Sequence, residues 1–293
     1  MEPATGIFSK QTGIRSGNRY LLTEKPLVMG ILNVTPDSFY DGGMYQTREM
    51  IGIRASRMLE EGADILDIGA CSTRPGSKQP DEAEEWKRLS VALEFIRDEF
   101  PEAVLSVDTF RAGIAARSVE EFGAEMINDV SGGNADPDMF ATVGRLNVPY
   151  VLMHMQGTPS SMQQDPRYGD VVEDISLFFA ERIRELNRMG VSDIILDPGF
   201  GFGKDLDHNY ELMARLADFR IFERPLMVGI SRKSMISKVL AGAAESSLNG
   251  TTVLNAAALL SNADILRVHD VRQARECITL TERIKSAKNE LYL

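Results

Sequence analysis

Nine polar residues occupy one kind of position along this chain. Asn33, Asp67, Asp108, Asn128, His154, Asp197, Ser231, Arg267 and His269 each lie at or near the end of a short apolar run. Carboxylates and amides in such places can read the N–H and C=O edges of a flat heterocycle. Arg267 and His269 stand two apart, so on a strand both face one side and could grip an anion. Any one of these tips could be a helix N-cap, where Asp and Asn are common, and Asp129 and Asp270 read that way or as outward-facing. The whole set is harder to dismiss, because buried polar groups are costly unless paired or used.

The densest stretch is ILDPGFGFGKD, from 194 to 204. A Walker A loop needs Gly-Lys followed by Ser or Thr; here Asp205 follows Gly203-Lys204. A dinucleotide fingerprint needs Gly-x-Gly-x-x-Gly, and Gly199, Gly201 and Gly203 do not fit that spacing. What remains is Asp197 at a strand end, a permissive backbone, and the flat faces of Phe200 and Phe202. That combination suits a planar ligand with N–H donors, against the plainer reading of an ordinary strand-to-helix turn.

The elements that must position these groups repeat. Apolar runs at 27–35, 63–69, 104–109, 125–131, 150–154, 193–199, 226–231 and 265–270 alternate with segments such as AEEWKRLSVALEFIRDEF, whose apolar residues recur at three and four. Alternation of this kind predicts a parallel sheet with helices outside. Eight units predict a single (β/α)8 TIM barrel over 21–293, with the active site at the C-terminal strand ends. An open doubly wound sheet is the competing fold. Residues 1–20 read as an N-terminal extension with partial disorder and no assigned role. Two Gly/Pro/Ser-rich stretches, 35–46 and 71–82, read as long mobile loops after strands 1 and 2. The first carries Asp37, Phe39 and Asp41, the second Ser72, Thr73 and Arg74. Lys233 sits where the seventh loop becomes a helix, whose N-terminus offers N–H donors to an anion.

Bulk properties narrow the classes. A net charge of -11 argues against nonspecific nucleic-acid binding. No apolar stretch approaches a membrane span, no secretory signal is visible at the start, and Cys71 and Cys277 alone make no disulfide framework. The expectation is a cytoplasmic protein that binds neither membrane nor nucleic acid.

In order along the chain, MGILNVTPDSFYDGG, DIGACSTRPG, SVDT, INDVSGG, LMHMQGTP, LDPGFGFGK, VGISRKS and RVHD together resemble the dihydropteroate synthases of folate biosynthesis, over roughly positions 27 to 270. The resemblance implies condensation of 6-hydroxymethyl-7,8-dihydropterin pyrophosphate with 4-aminobenzoate, releasing pyrophosphate by an SN1-like route, with Mg2+ as cofactor, sulfonamides as inhibitors and a homodimer as the assembly. It implies that Asp108, Asn128, Met153, Asp197, Phe202, Gly229 and Lys233 bind the pterin. Asn33, Thr73, Arg74, Arg267 and His269 would hold the pyrophosphate, with Asn33 contacting the metal. Thr73, Pro75, Phe202 and Ser234 would frame 4-aminobenzoate. Asp108, Lys233, Arg267 and His269 would serve catalysis, with Phe39 and Asp41 closing the site from the first loop. Cys71 lies at a variable place in the second loop and receives no role. A methyltetrahydrofolate:corrinoid methyltransferase would share Asp108, Asn128 and Asp197 but has no use for a pyrophosphate clamp. A Schiff-base lyase using Lys233 and a non-catalytic pterin-binding paralogue also compete with the synthase reading.

Overall fold

A computed structural model of the 293-residue chain describes residues 13–16, 19–22, 25–35, 48–71, 79–157, 162, 166–240 and 247–290. The chain enters through an antiparallel hairpin, β1 (Gly13–Ser16) and β2 (Arg19–Leu22). Eight parallel strands follow: β3 (Leu27–Asn33), β4 (Ile65–Gly69), β5 (Leu105–Asp108), β6 (Met126–Asp129), β7 (Tyr150–Met153), β8 (Ile194–Asp197), β9 (Met227–Val228) and β10 (Ile265–Val268). Their spatial order is β8-β7-β6-β5-β4-β3-β10-β9. A parallel bridge from Leu196 to Leu226 joins the two ends, so the sheet closes on itself as a barrel and is not an open doubly wound sheet.

The described helices between the strands are α1 (Arg48–Glu60), α2 (Glu82–Glu99), α3 (Ala112–Phe122), α4 (Met139–Leu146), α5 (Val171–Arg188), α6 (Leu206–Ala214), α7 (Ser234–Leu240), α8 (Ser247–Leu260) and α9 (Val271–Glu290). Local sequence explains their limits. Asp170 caps α5 by accepting from the N–H groups of Val172 and Glu173, each at 2.9 Å. Val171, Val172, Ile175, Phe179 and Leu186 then bury one face of that helix. Gly123 ends α3 at φ 63°, where a side chain would be strained.

Strand parity divides the barrel. Outward residues such as Leu66, Val107, Ile127, Leu152 and Leu196 pack with the helices in one continuous core. Inward residues near the strand starts form a second, separate cluster: Met29, Ile65, Val104, Met126, Val151, Ile195, Met227 and Ile265, one from each strand or its immediate start. Ile14 from the hairpin completes this cluster at 2% exposure. A stretch with no sequence-assigned role thus supplies a plug for the barrel floor. No helix of the described residues is long and apolar enough to cross a membrane. The two stretches expected to be mobile loops fall largely on 36–47 and 72–78, outside the described residues.

Candidate active site

Two residues beyond the apolar floor, the inward positions change character. Register pairs Ile31 with Asp67 and Asp67 with Ser106, while Asn128 lies beside Val151 and Met153 beside Asp197. Gly229 and Arg267 hold the same parity on the last two strands. One step higher come Asn33, Gly69, Asp108, Ser231 and His269. The mouth therefore gathers Asn33, Asp108, Asn128, Met153, Asp197, Gly229, Arg267 and His269.

Arg267 is its hub. The Nε donates to Asp67 Oδ2 and one terminal nitrogen donates to Asp108 Oδ2, both at 2.7 Å. Asp67 is wholly buried and also accepts from Asn128 Nδ2 at 3.0 Å. The Asn128 Oδ1 is thereby turned to accept from something else. Burial pushes the Asp108 carboxyl up, against the pull of Arg267. Against burial, which lowers it, the two carboxylates in turn hold the Arg267 guanidinium above its usual range. Asp67 is one of the nine strand-tip residues to which the sequence assigns no separate role; what it does is orient Arg267 and Asn128.

Across the mouth, Asp197 Oδ1 accepts from the Gly199 N–H at 2.8 Å. Burial raises this carboxyl too, opposed first by Lys233. Lys233 donates to the Phe200 carbonyl, and its ammonium lies 4.4 Å from the centre of the Phe202 ring. Burial lowers its pKa to about 8. The loop between them needs its glycines. Gly199 has φ +71°, and a Cβ there would lie 2.0 Å from the His154 carbonyl oxygen; Gly201 has φ +79°, with Lys233 Cδ at 3.1 Å.

Lys204 fastens the same loop from behind. It is 2% exposed and donates to the carbonyls of Gly199 and Phe202, each at 3.0 Å. Its ammonium also lies 3.2 Å from His154 Nδ1. Burial lowers its pKa to about 7. This lysine, the one that suggests a phosphate loop in the sequence, faces the protein interior.

Two expectations change here. His154 is turned away from the mouth, because its parity on β7 is opposite to that of Met153; its ring packs edge-on to Phe178 of α5. Phe200 is fully buried in the outer core, so only Phe202 of the pair faces the site, beside Met153, Met155 and Met162. Ser234 stands exposed at the first turn of α7. Asp129 faces outward, accepting from the Ser131 N–H at 2.7 Å and the Tyr150 hydroxyl at 2.7 Å. Asp37, Phe39, Asp41, Ser72, Thr73, Arg74 and Pro75 lie outside the described residues. The ends of the second stretch are anchored, since Arg88 donates to the Ala70 carbonyl at 3.4 Å and Arg111 to the Pro80 carbonyl at 2.7 Å.

No group of three or more His, Cys, Asp or Glu placed to hold a metal occurs among the described residues. The Asn33 amide is half-buried on the rim, and its Oδ1 lies 3.5 Å from where a Cβ on Gly69 would stand. A site of that kind can offer a hard cation one amide oxygen, leaving the other positions to water or a ligand's own oxygens.

Comparison with known proteins gives a consistent result. The model of the family described as "Pterin binding enzyme" matches residues 29–269. The dihydropteroate synthase of Escherichia coli strain K12 is 42% identical over 270 residues, covering 91% of this chain and 95% of that one. A crystal structure of Yersinia pestis dihydropteroate synthase with a sulfonamide drug complex superposes with TM-score 0.88 at 40% identity, covering 94% of this chain and all of that one (100%). Xanthomonas albilineans dihydropteroate synthase with 4-aminobenzoic acid gives TM-score 0.87 at 37% identity, over 94% and 98% of the two chains.

Proposed function

Since the chain belongs to the pterin-binding enzymes, and among them to the dihydropteroate synthases, we propose that its barrel mouth joins 6-hydroxymethyl-7,8-dihydropterin pyrophosphate to 4-aminobenzoate. The observation that supports this most is the inward-facing group of Asp108, Asn128, Asp197 and Arg267, which offers acceptors to a heterocycle beside a fixed cation. Asp197, Asp108 and Asn128 Oδ1 take the ring's N–H groups. Met153, Gly229 and Phe202 form the slot, with Lys233 over one face. Arg267, His269 and Asn33 meet the pyrophosphate, and we assign Thr73 and Arg74 to the same task. Phe202, Ser234, Thr73 and Pro75 frame the aminobenzoate, and Phe39 and Asp41 close over it.

The chemistry asks little of a general base. The methylene–oxygen bond breaks and its electron pair leaves with the diphosphate. The resulting positive charge spreads into the dihydropterin ring, where Asp108 and Asp197 offset it. The arylamine lone pair then forms the C–N bond, and the surplus N–H proton passes to solvent or to the departing diphosphate. Water must be kept out, because it would trap the cation as an alcohol. A Mg2+ ion held through Asn33 would add charge to stabilise the leaving group.

We further read the assembly as a homodimer. Val253 and Leu260 on α8 and Leu280 and Ile284 on α9 are exposed apolar side chains on helices that pack together. The two free thiols, Cys71 and Cys277, fit a reducing cytoplasm. We take 21–293 as the barrel domain, with Ile14 of the preceding segment as its floor plug.

The decisive experiment measures pyrophosphate release from dihydropterin pyrophosphate with Mg2+, with and without 4-aminobenzoate, and weighs the product. Release that needs 4-aminobenzoate and yields 7,8-dihydropteroate is expected. Pterin binding without turnover would move the reading to a non-catalytic paralogue or a methyltransferase.

A further inference from the structure

Ser231 stands on the inner face at the tip of the seventh barrel strand, beside the tip of the eighth, and makes two contacts with one residue. Its Oγ lies 3.2 Å from the backbone nitrogen of His269 and 3.1 Å from that residue's ring Nδ1. A backbone N–H can only donate, so Oγ accepts there. The hydroxyl proton then needs an acceptor. Among the described residues, Nδ1 is the one in contact with it. With Nδ1 as that acceptor, the proton of the neutral imidazole sits on Nε2.

The surroundings agree with a neutral ring. His269 is half-buried, and burial and Arg267 lower its pKa to about 4, with Arg232 and Arg54 acting the same way and Asp270 against them. Neighbouring contacts fix the backbone that carries it. Arg54 donates to the His269 carbonyl at 2.7 Å, and Arg232 bonds Asp270 through two nitrogens at 3.0 and 2.7 Å. Ring position and ring tautomer are thus set by different partners, and Nε2 has no partner among the described residues.

We propose that Ser231 is a positioning residue that locks His269 as its Nε2–H tautomer, so that a neutral imidazole donates a hydrogen bond to the departing diphosphate. This rests on the dihydropteroate reading for the identity of the anion. The imidazole keeps its proton throughout. It is neither a general acid nor an additional positive charge, and Arg267 supplies the fixed positive charge beside it.

The chain contains three histidines, so ring nitrogens can be resolved individually by 15N labelling of histidine, with His154→Gln and His208→Gln assigning the other two. The expected spectrum shows a pyridine-type Nδ1 and a pyrrole-type Nε2 for His269, unchanged between pH 6 and pH 8 (about two units above the ring's pKa at the lower end). Ser231→Ala should give a mixture of tautomers and raise the inhibition constant of pyrophosphate by the inverse of the fraction left as Nε2–H, about twofold for an even mixture. Its KM for 4-aminobenzoate should not move, and Ser231→Thr, which keeps the hydroxyl, should restore the single tautomer. A protonated Nδ1 in wild-type protein that turns over normally would overturn the role of Ser231 alone. The expected tautomer in a protein that fails to bind pyrophosphate would overturn the diphosphate assignment together with the reading beneath it.

Discussion

Met126 and Asn128 stand two residues apart on one strand and face the same barrel interior. Met126 belongs to a dry floor closed by Ile14, and Asn128 to a ring of charges. The same step recurs around the barrel, from Ile65 to Asp67, from Ile195 to Asp197 and from Ile265 to Arg267. Geometry is shared, so the difference is one of chemistry. The floor is held by packing, and its removal should cost stability. The mouth is held by mutual hydrogen bonding among groups that each retain a face for a ligand, and its removal should cost function. Arg267 is where that separation ought to fail, because it serves both.

The largest effect expected tests that exception. Arg267→Met leaves Asp67 and Asp108 buried without their counter-ion, which should cost about 3–5 kcal/mol of stability and lower turnover by roughly a hundredfold or more through the lost stabilisation of the leaving group. The floor partner in this comparison is Met126→Ala, fully buried, expected to cost about 2–5 kcal/mol with turnover per folded molecule unchanged. Urea unfolding and steady-state rates on both variants check the pair. An Arg267→Met protein as stable as wild type would mean that the mouth carboxylates do not need the guanidinium.

Next comes Lys233→Ala, a purely functional loss. Lys233 makes no hydrogen bond to a carboxylate among the described residues; its ammonium bonds the Phe200 carbonyl and covers Phe202. Turnover should fall more than tenfold, with the melting temperature changed by only a few degrees at most, about 1 kcal/mol. A large stability loss with normal kinetics in the surviving folded fraction would blur the division between floor and mouth.

Much of this division can be read in the sequence, because period-two apolar runs ending in polar residues give both the strands and their open end. The parity of each tip is readable as well: His154 follows Met153, so one of them must face out. Which one faces the mouth depends on where the strand enters the barrel, and a run of apolar residues on both faces conceals that. The sequence also shows Ser231 and Asp67 in place, but not what they hold. Their partners, His269 and Arg267, come from strands distant in the chain, and no local spacing encodes those contacts. Lys204 is the clearest example. Its position after three glycines prompts the phosphate-loop comparison that Asp205 excludes, and nothing in that spacing shows how the loop's left-handed turns fold it back under its own carbonyls.

The smallest effect concerns acid, and separates the back of the barrel from its mouth once more. Burial holds both His154, with a pKa of about 2, and His269, at about 4, below the usual 6.5. In each case the unfolded chain binds a proton that the folded protein refuses. Stability is therefore fully present above pH 6.5 and falls as the pH drops below it, by about 1.4 kcal/mol per pH unit for each ring. Asp108 and Asp197 are shifted upward and act in the opposite sense, so the useful quantity is the difference between a variant and wild type. His154→Gln keeps an acceptor near Lys204 and should flatten the acid limb by one proton's slope from pH 6.5 downward, with little change at pH 7.5. Its activity should be close to normal, since His154 faces α5. Unfolding titrations at several pH values check the slope. An unchanged limb would mean that His154 takes up its proton in the folded protein, which could happen only if water or a carboxylate reaches the space behind the glycine loop.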